Sequence, residues 1–252
     1  MATFTFRDSS WNSPPPGPLA DGDVHVWLAA LDQPPPLLEQ LARTLSDDER
    51  TRAERFRFEQ HRMRFVVRRG LLRTILGSYL NTDPGRLRFG YGPRGKPSLP
   101  APPPDQPLHF NLSHSQGLAL YAVTRGREIG VDIECVRPLA DVEAMAQQFF
   151  SAQENAALRA VPPEQRLETF FRFWSCKEAY VKARGDGLAL PLDQFDIILT
   201  SDEPPRVVDR TAGEAEPVRS WTLRELQPAP GCAAALVVEG PVGRLACWRW
   251  QP

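Results

Sequence analysis

A chain of 252 residues with 42% hydrophobic residues, 24% charged residues and a net charge of -1 is long enough to bury a proper core and has the make-up of a soluble globular protein. That near-neutral charge argues against a general nucleic-acid binder, and no apolar run approaches the roughly 18–20 residues needed to span a bilayer. The opening residues lack a basic region followed by an apolar stretch, so no secretory signal is read and a cytoplasmic location is expected.

In chain order, Val24 to Leu28 reads as a first strand. After the prolines at 34 to 36 a long helical region is expected from Leu37 to Leu80, interrupted near Ser46-Asp47-Asp48, where Ser46 offers a cap for a second helix. Phe65, Leu72, Leu76 and Tyr79 recur at helical spacing and form its buried stripe. The same region carries Arg52, Arg55, Arg57, Arg62, Arg64, Arg68, Arg69 and Arg73, mostly a solvated face of which one or two members need touch a ligand. Strands are expected at Leu87 to Tyr91, His109 to Leu112, Leu118 to Val123 and Ile129 to Glu134, with a glycine- and proline-punctuated loop from Gly92 to Pro104.

Helical pattern returns from Asp141 to Phe150, and the major helix of the second half is expected from Pro163 to Ala183. Gly185 and Gly187 end that helix, and Leu188 starts a new segment. Phe195 to Leu199, Ser220 to Leu226, Ala233 to Val238 and Leu245 to Trp250 read as strands that finish a sheet. Each half thus offers one major helix and several strands, an α+β pattern consistent with a duplicated unit or with one continuous mixed sheet. The four cysteines make no Cys-x-x-Cys pair and the four histidines no zinc-type spacing, so neither a zinc site nor a disulfide framework is expected.

Three segments can carry chemistry. Asp132 and Glu134 lie two apart in an otherwise apolar strand, so both carboxylates emerge on one face, where they repel unless a cation such as Mg2+ neutralises them or solvent screens them. Glu178 and Lys182 lie four apart on one helix face, a pairing that suits a metal and a phosphate together or a plain surface bridge. Asn111-Leu112-Ser113-His114-Ser115 sets hydroxyls and an imidazole after a strand, which suits anion binding or turn capping. The Gly92 to Pro97 loop, with Arg94 and Lys96, could hold a phosphate but lacks full P-loop spacing.

Taken in order, Gly95-Lys96-Pro97, Asn111 to Ser115, Gly130 to Glu134 and Trp174 to Lys182 resemble the successive motifs of the 4'-phosphopantetheinyl transferases, in their longer, pseudo-dimeric form. The resemblance implies two similar α/β subdomains, residues 1–127 with nucleotide-side contacts and 128–252 with metal-binding and catalytic residues, and coenzyme A in the cleft between them. It assigns Asp132, Glu134 and Glu178 to Mg2+. It gives the 3'-phosphate to Ser113 and His114, helped by Lys96 and an arginine of the first helix, Arg52 or Arg64. Lys182 would contact the pyrophosphate, and Glu178, directly or through a water, would be the base, with Glu154 as second candidate. An apo-acyl or peptidyl carrier protein would dock on Arg137 to Ala152, with Phe149 or Phe150 as an apolar contact, on a monomeric enzyme that releases 3',5'-ADP. Phe65 departs from the pattern, since some relatives would carry a small polar residue there. The competing readings are a nucleotide pyrophosphatase using the same three acids, and a nucleic-acid binder built on the arginine-rich helix.

Overall fold

A computed structural model describes residues 7–9, 19–100, 107–185, 187, 190–200, 203–209 and 220–251. The first half contains β1 (Arg7–Ser9), β2 (Val24–Ala30), α1 (Pro35–Thr44), α2 (Asp47–Glu54), α3 (Glu59–Leu80), the two-residue strands β3 (Gly90–Tyr91) and β4 (Pro97–Ser98), β5 (Leu108–Ser115) and β6 (Leu118–Arg125). The second contains β7 (Ile129–Cys135), α4 (Val142–Phe149), α5 (Ala152–Ala160), α6 (Pro163–Arg184), β8 (Phe195–Ile198), β9 (Arg206–Asp209), β10 (Trp221–Leu226), β11 (Cys232–Glu239) and β12 (Leu245–Trp250).

The helical region expected from Leu37 to Leu80 is broken at Ser46 as expected and a second time between α2 and α3, so it is three helices. Ser46 and Glu49 form a capping box that restarts the chain at α2, with the Ser46 amide donating to the Glu49 carboxylate at 3.1 Å. Glu49 also draws Arg69 and Arg73 out of the basic face: both guanidiniums are buried, Arg69 Nε and Arg73 Nε donating to its two oxygens at 2.7 and 2.6 Å. Those two arginines clamp α3 to α2 rather than meeting solvent. The strand expected at Leu87 to Tyr91 shrinks to β3, because Pro84 and Gly85 wind a 3-10 turn just before it. Helix α5 and strand β9 were not anticipated, and Leu188 lies outside the described residues.

Two main sheets stack face to face. One has the order β1-β12-β2-β6-β5, the other β10-β11-β7. Strand alternation decides which side chain faces which layer. On β6, Leu120 and Ala122 point into a core shared with Val131, Ile133, Leu236 and Val238 of the opposing sheet. Ala119, Tyr121 and Val123 point the other way, against Leu71, Leu72, Ile75 and Leu76 of α3. On β11, Ala233, Ala235 and Val237 likewise pack outward under Phe173, Cys176, Ala179 and Tyr180 of α6. The result is a helix-sheet-sheet-helix sandwich in which α3 and α6, each 22 residues long, play equivalent parts. The fold is α+β and pseudo-dimeric.

β12 pairs in parallel with β2, so the C-terminal strand lies in the sheet that holds most strands of the first half. One expectation needs correction. Cys135 and Cys232 are bonded to each other, because the antiparallel register of β7 and β11 sets them directly opposite. Neither pairing leaves a trace in local spacing; the two cysteines are 97 residues apart.

Candidate active site

The site forms where β7 passes between β5 and α6. Gly130, Asp132 and Glu134 alternate with the buried Ile129, Val131 and Ile133, so Asp132 and Glu134 share the face that looks toward α6. Gly130 sets the distance between the two elements. A Cβ there would stand 2.0 Å from the Ala179 carbonyl oxygen and 2.4 Å from the Ala183 nitrogen, so only glycine lets α6 lie this close to β7. The same contact carries Glu178 and Lys182, one turn apart, over the two strand carboxylates. Gly185, at φ 78, then ends α6 with its amide bonded to the Val181 carbonyl, the expected glycine stop.

Strand β5 supplies the other wall through a ladder of side-chain hydrogen bonds to β7. Asn111, Ser113 and Ser115 are alternate residues and therefore share one face. Asn111 Oδ1 accepts from the Val131 amide at 2.9 Å, Ser113 Oγ donates to Asp132 Oδ1 at 2.7 Å, and Ser115 Oγ both donates to Glu134 Oε2 and accepts from the Cys135 amide, each at 3.1 Å. These side chains join the edges of the two sheets. The signal was the Asn-x-Ser-x-Ser alternation itself, visible in the sequence but uninterpretable until β7 lay beside β5.

Between these elements lies a cleft of about 390 Å3 lined by Arg68, Leu112, Ser113, His114, Asp132, Glu134, Trp174, Glu178 and Lys182. Lys182 Nζ donates to Asp132 Oδ1 at 2.6 Å and to Ser113 Oγ at 3.0 Å. Glu134 Oε2 also accepts from Arg137 at 3.1 Å. Burial raises the Glu178 carboxyl above its ordinary range; Lys182 opposes the rise, and Asp132 and Glu134 add to it. His114 lies on the open side, and its imidazole is lowered by its confinement first and then by the Arg68 and Lys182 cations. Burial brings Arg68 down to about 10, so it stays charged at neutral pH.

Among the described residues, no three acids, histidines or cysteines already converge as a ready ligand cluster. The residues present nevertheless fit a hard divalent cation. Asp132 Oδ2 is buried with no hydrogen-bond partner, an orphaned acceptor on a cleft lined by two further carboxylates, and oxygen donors of this kind suit Mg2+.

The remaining sequence candidates lie elsewhere. Glu154 is fully buried: its Oε1 stands 2.8 Å from Lys177 Nζ and accepts from the Ile197 amide at 2.7 Å, while Oε2 caps α5 at Ser151. It does not line the cleft. Lys96 is paired with Glu128 at 3.0 Å and donates to the Ala183 carbonyl at the end of α6, and Arg64 is paired with Asp32 through two 2.7 Å bonds. Neither lines the cleft. Arg52 lies outside it too, with its guanidinium 5.6 Å from the centre of the Phe65 ring. Nothing local in the sequence marks Arg68, among the eight arginines from Arg52 to Arg73, as the member that lines the cleft.

Comparison with known proteins gives this geometry a family. Residues 128–237 match the 4'-phosphopantetheinyl transferase superfamily, and residues 34–125 match the N-terminal domain of a 4'-phosphopantetheinyl transferase. The chain is 46% identical over 244 residues to the 4'-phosphopantetheinyl transferase HetI of Nostoc sp. (strain PCC 7120), covering 96% of both chains. It belongs to the 4'-phosphopantetheinyl transferase family. A second transferase of that name, from Bacillus subtilis, is 34% identical over 196 residues, 78% of this chain and 85% of that one. The transferase Sfp of Bacillus subtilis strain 168 is 32% identical over 164 residues, 65% of this chain and 70% of Sfp. The chain is therefore an enzyme of the phosphopantetheinyl transferase class; the first matched region carries α3, β5 and β6, and the second carries β7, α6 and β10.

Proposed function

We propose that this protein moves the 4'-phosphopantetheine group of coenzyme A to a serine hydroxyl of an apo-acyl or peptidyl carrier protein and releases 3',5'-ADP. The observation that carries the reading is the convergence of Asp132, Glu178 and Lys182 on one cleft from two elements that Gly130 holds in contact. In the reaction a serine oxygen bonds to the β-phosphorus, the bridge to the 5'-phosphate breaks, and the serine proton must leave. Glu178, a carboxylate on the cleft whose pKa burial raises, is the group suited to take that proton. Lys182 neutralises charge on the pyrophosphate, and Ser113 and His114 contact the nucleotide. Asp132, Glu134 and Glu178 are the residues to hold Mg2+, which would supply further charge neutralisation on the diphosphate.

The carrier docks on the segment from Arg137 to Ala152. Phe150 is buried in the core against Phe170, whereas Phe149 is only half-buried, edge-on to Trp174, and is the residue to offer the carrier an apolar contact. The enzyme works as a cytoplasmic monomer; no helix among the described residues is long and apolar enough to cross a membrane. The test is to incubate the protein with coenzyme A, Mg2+ and several apo-carrier proteins and to follow carrier mass. Gain of one phosphopantetheine is expected. Nucleotide release with no carrier labelled would instead favour a pyrophosphatase.

A further inference from the structure

A phosphate monoester carries about -1.5 to -2 charges at neutral pH, and a site that holds one needs fixed positive charge within reach. Of the cations expected to supply it, Arg64 is committed to Asp32 and Lys96 to Glu128, and neither they nor Arg52 line the cleft. Lys182 does, but its ammonium is tied to Asp132. Arg68 differs from all of them. It lines the cleft, its side chain makes no hydrogen bond or ion pair with any described residue, and its Nε is buried without a partner. A guanidinium left unpaired in a half-buried polar cleft costs stability unless a ligand completes it. Its backbone is fixed, because the Arg68 carbonyl accepts from the buried Tyr121 hydroxyl at 3.0 Å. Its head is set against Phe65, 5.6 Å from the ring centre, and that ring carries Arg52 at the same distance. The phenylalanine that departs from the family pattern is thus the rest on which this arginine lies.

We propose that Arg68, braced by Phe65, is the cation that grips the 3'-phosphate of coenzyme A beside His114. The planar fork of a guanidinium matches phosphate oxygens two at a time, which an ammonium cannot do. The assignment rests on coenzyme A being the substrate. It goes beyond that reading by giving nucleotide recognition to an arginine of α3 that no motif marks.

The experiment compares 3',5'-ADP with 5'-AMP, which lacks the 3'-phosphate, by titration calorimetry on the wild type, Arg68→Ala and Arg68→Lys, with a chelator present so that only the chain's own residues are read. Loss of a charge-assisted contact should weaken 3',5'-ADP binding to Arg68→Ala about 10- to 100-fold and leave 5'-AMP binding within about twofold, with Arg68→Lys in between. Unchanged 3',5'-ADP binding to both variants, or an equal loss for the two nucleotides, overturns the proposal. Carrier labelling by the wild type is scored separately. If labelling fails while the nucleotide discrimination follows Arg68, the transferase reading falls and the phosphate site stands; if labelling succeeds and discrimination ignores Arg68, only the arginine assignment falls.

Discussion

Lys182 Nζ lies 2.6 Å from Asp132 Oδ1, a contact made between the middle of β7 and the last turn of α6. Asp132 is almost wholly buried and keeps its second oxygen unpaired, so one carboxylate serves the lysine on one side and offers a vacant acceptor on the other. Asp132→Asn keeps the shape and removes the charge. Transfer should fall by at least about 100-fold, the scale of losing one preorganised electrostatic contact, and the Mg2+ concentration for half-maximal rate should rise. Single-turnover carrier labelling across a Mg2+ series reads both. Glu178→Ala should be equally inactive, and normal turnover in that variant would refute its assignment as base and ligand.

Gly130→Ala tests whether helix placement matters independently of any charged group. The added methyl meets backbone atoms of α6, which cannot swing aside as a side-chain tip would. Overpacking of this kind costs about 1–3 kcal/mol, and a displacement near 1 Å costs roughly 100-fold in rate. A lowered melting temperature together with a drop in kcat/KM is expected. Unchanged activity would mean that the contact between β7 and α6 does not set the site.

Glu154→Ala should behave in the opposite way. Removing it takes away the carboxylate 2.8 Å from Lys177, which is fully buried beside the Phe195 ring and bonded to the Leu192 and Phe195 carbonyls. Breaking a buried pair costs about 3–5 kcal/mol, or roughly 10 °C in a chain of this size. Folded protein should retain kcat within about twofold. A selective loss of kcat with stability intact would return Glu154 to the list of bases.

The His25 environment makes stability depend on pH. Its Nδ1 lies 2.8 Å from the Tyr79 hydroxyl, which accepts from Trp27 Nε1 at 3.0 Å and so has its own proton free to give to the imidazole. Burial is the main reason that His25 is brought down to about 4; Arg244 adds to it and Asp23 opposes it. A folded pKa below the unfolded one means that the unfolded chain binds the extra proton. Stability is therefore full above about pH 6.5 and is lost as pH falls toward 4, by roughly 2–3 kcal/mol. Urea unfolding of the wild type and His25→Gln at pH 7 and pH 4.5 should show the larger acid loss in the wild type. Equal losses would remove His25 as the cause.

Elements with a strong local period were legible from residues alone. The alternation of Ile129 to Glu134 and the glycine stop at Gly185 define β7 and the end of α6 without any distant partner, and the helix-spaced Phe65, Leu72 and Leu76 do prove buried. The helical region over Leu37 to Leu80 showed its break at Ser46 in the sequence, but not the second break before Glu59 or the reach of Glu49 across to Arg69 and Arg73, contacts that periodicity does not register. The burial of Glu154 against Lys177 was not legible for a related reason. A carboxylate near a docking segment looks the same in sequence whether it faces a cleft or a buried lysine.

The order of motifs by itself determined the family and which residue types are present to meet a phosphate and a cation, because those chemical demands fix residue identity at short spacings. Only the tertiary structure decided which charges are free to act. Arg64, Lys96 and Glu154 are neutralised by Asp32, Glu128 and Lys177, which lie 32, 32 and 23 positions away along the chain, whereas Arg68 and Asp132 Oδ2 are left open toward the cleft. Electrostatic availability depends on distance and burial in space, and strand order, helix approach and side-chain direction set those quantities only once the two sheets have closed on each other.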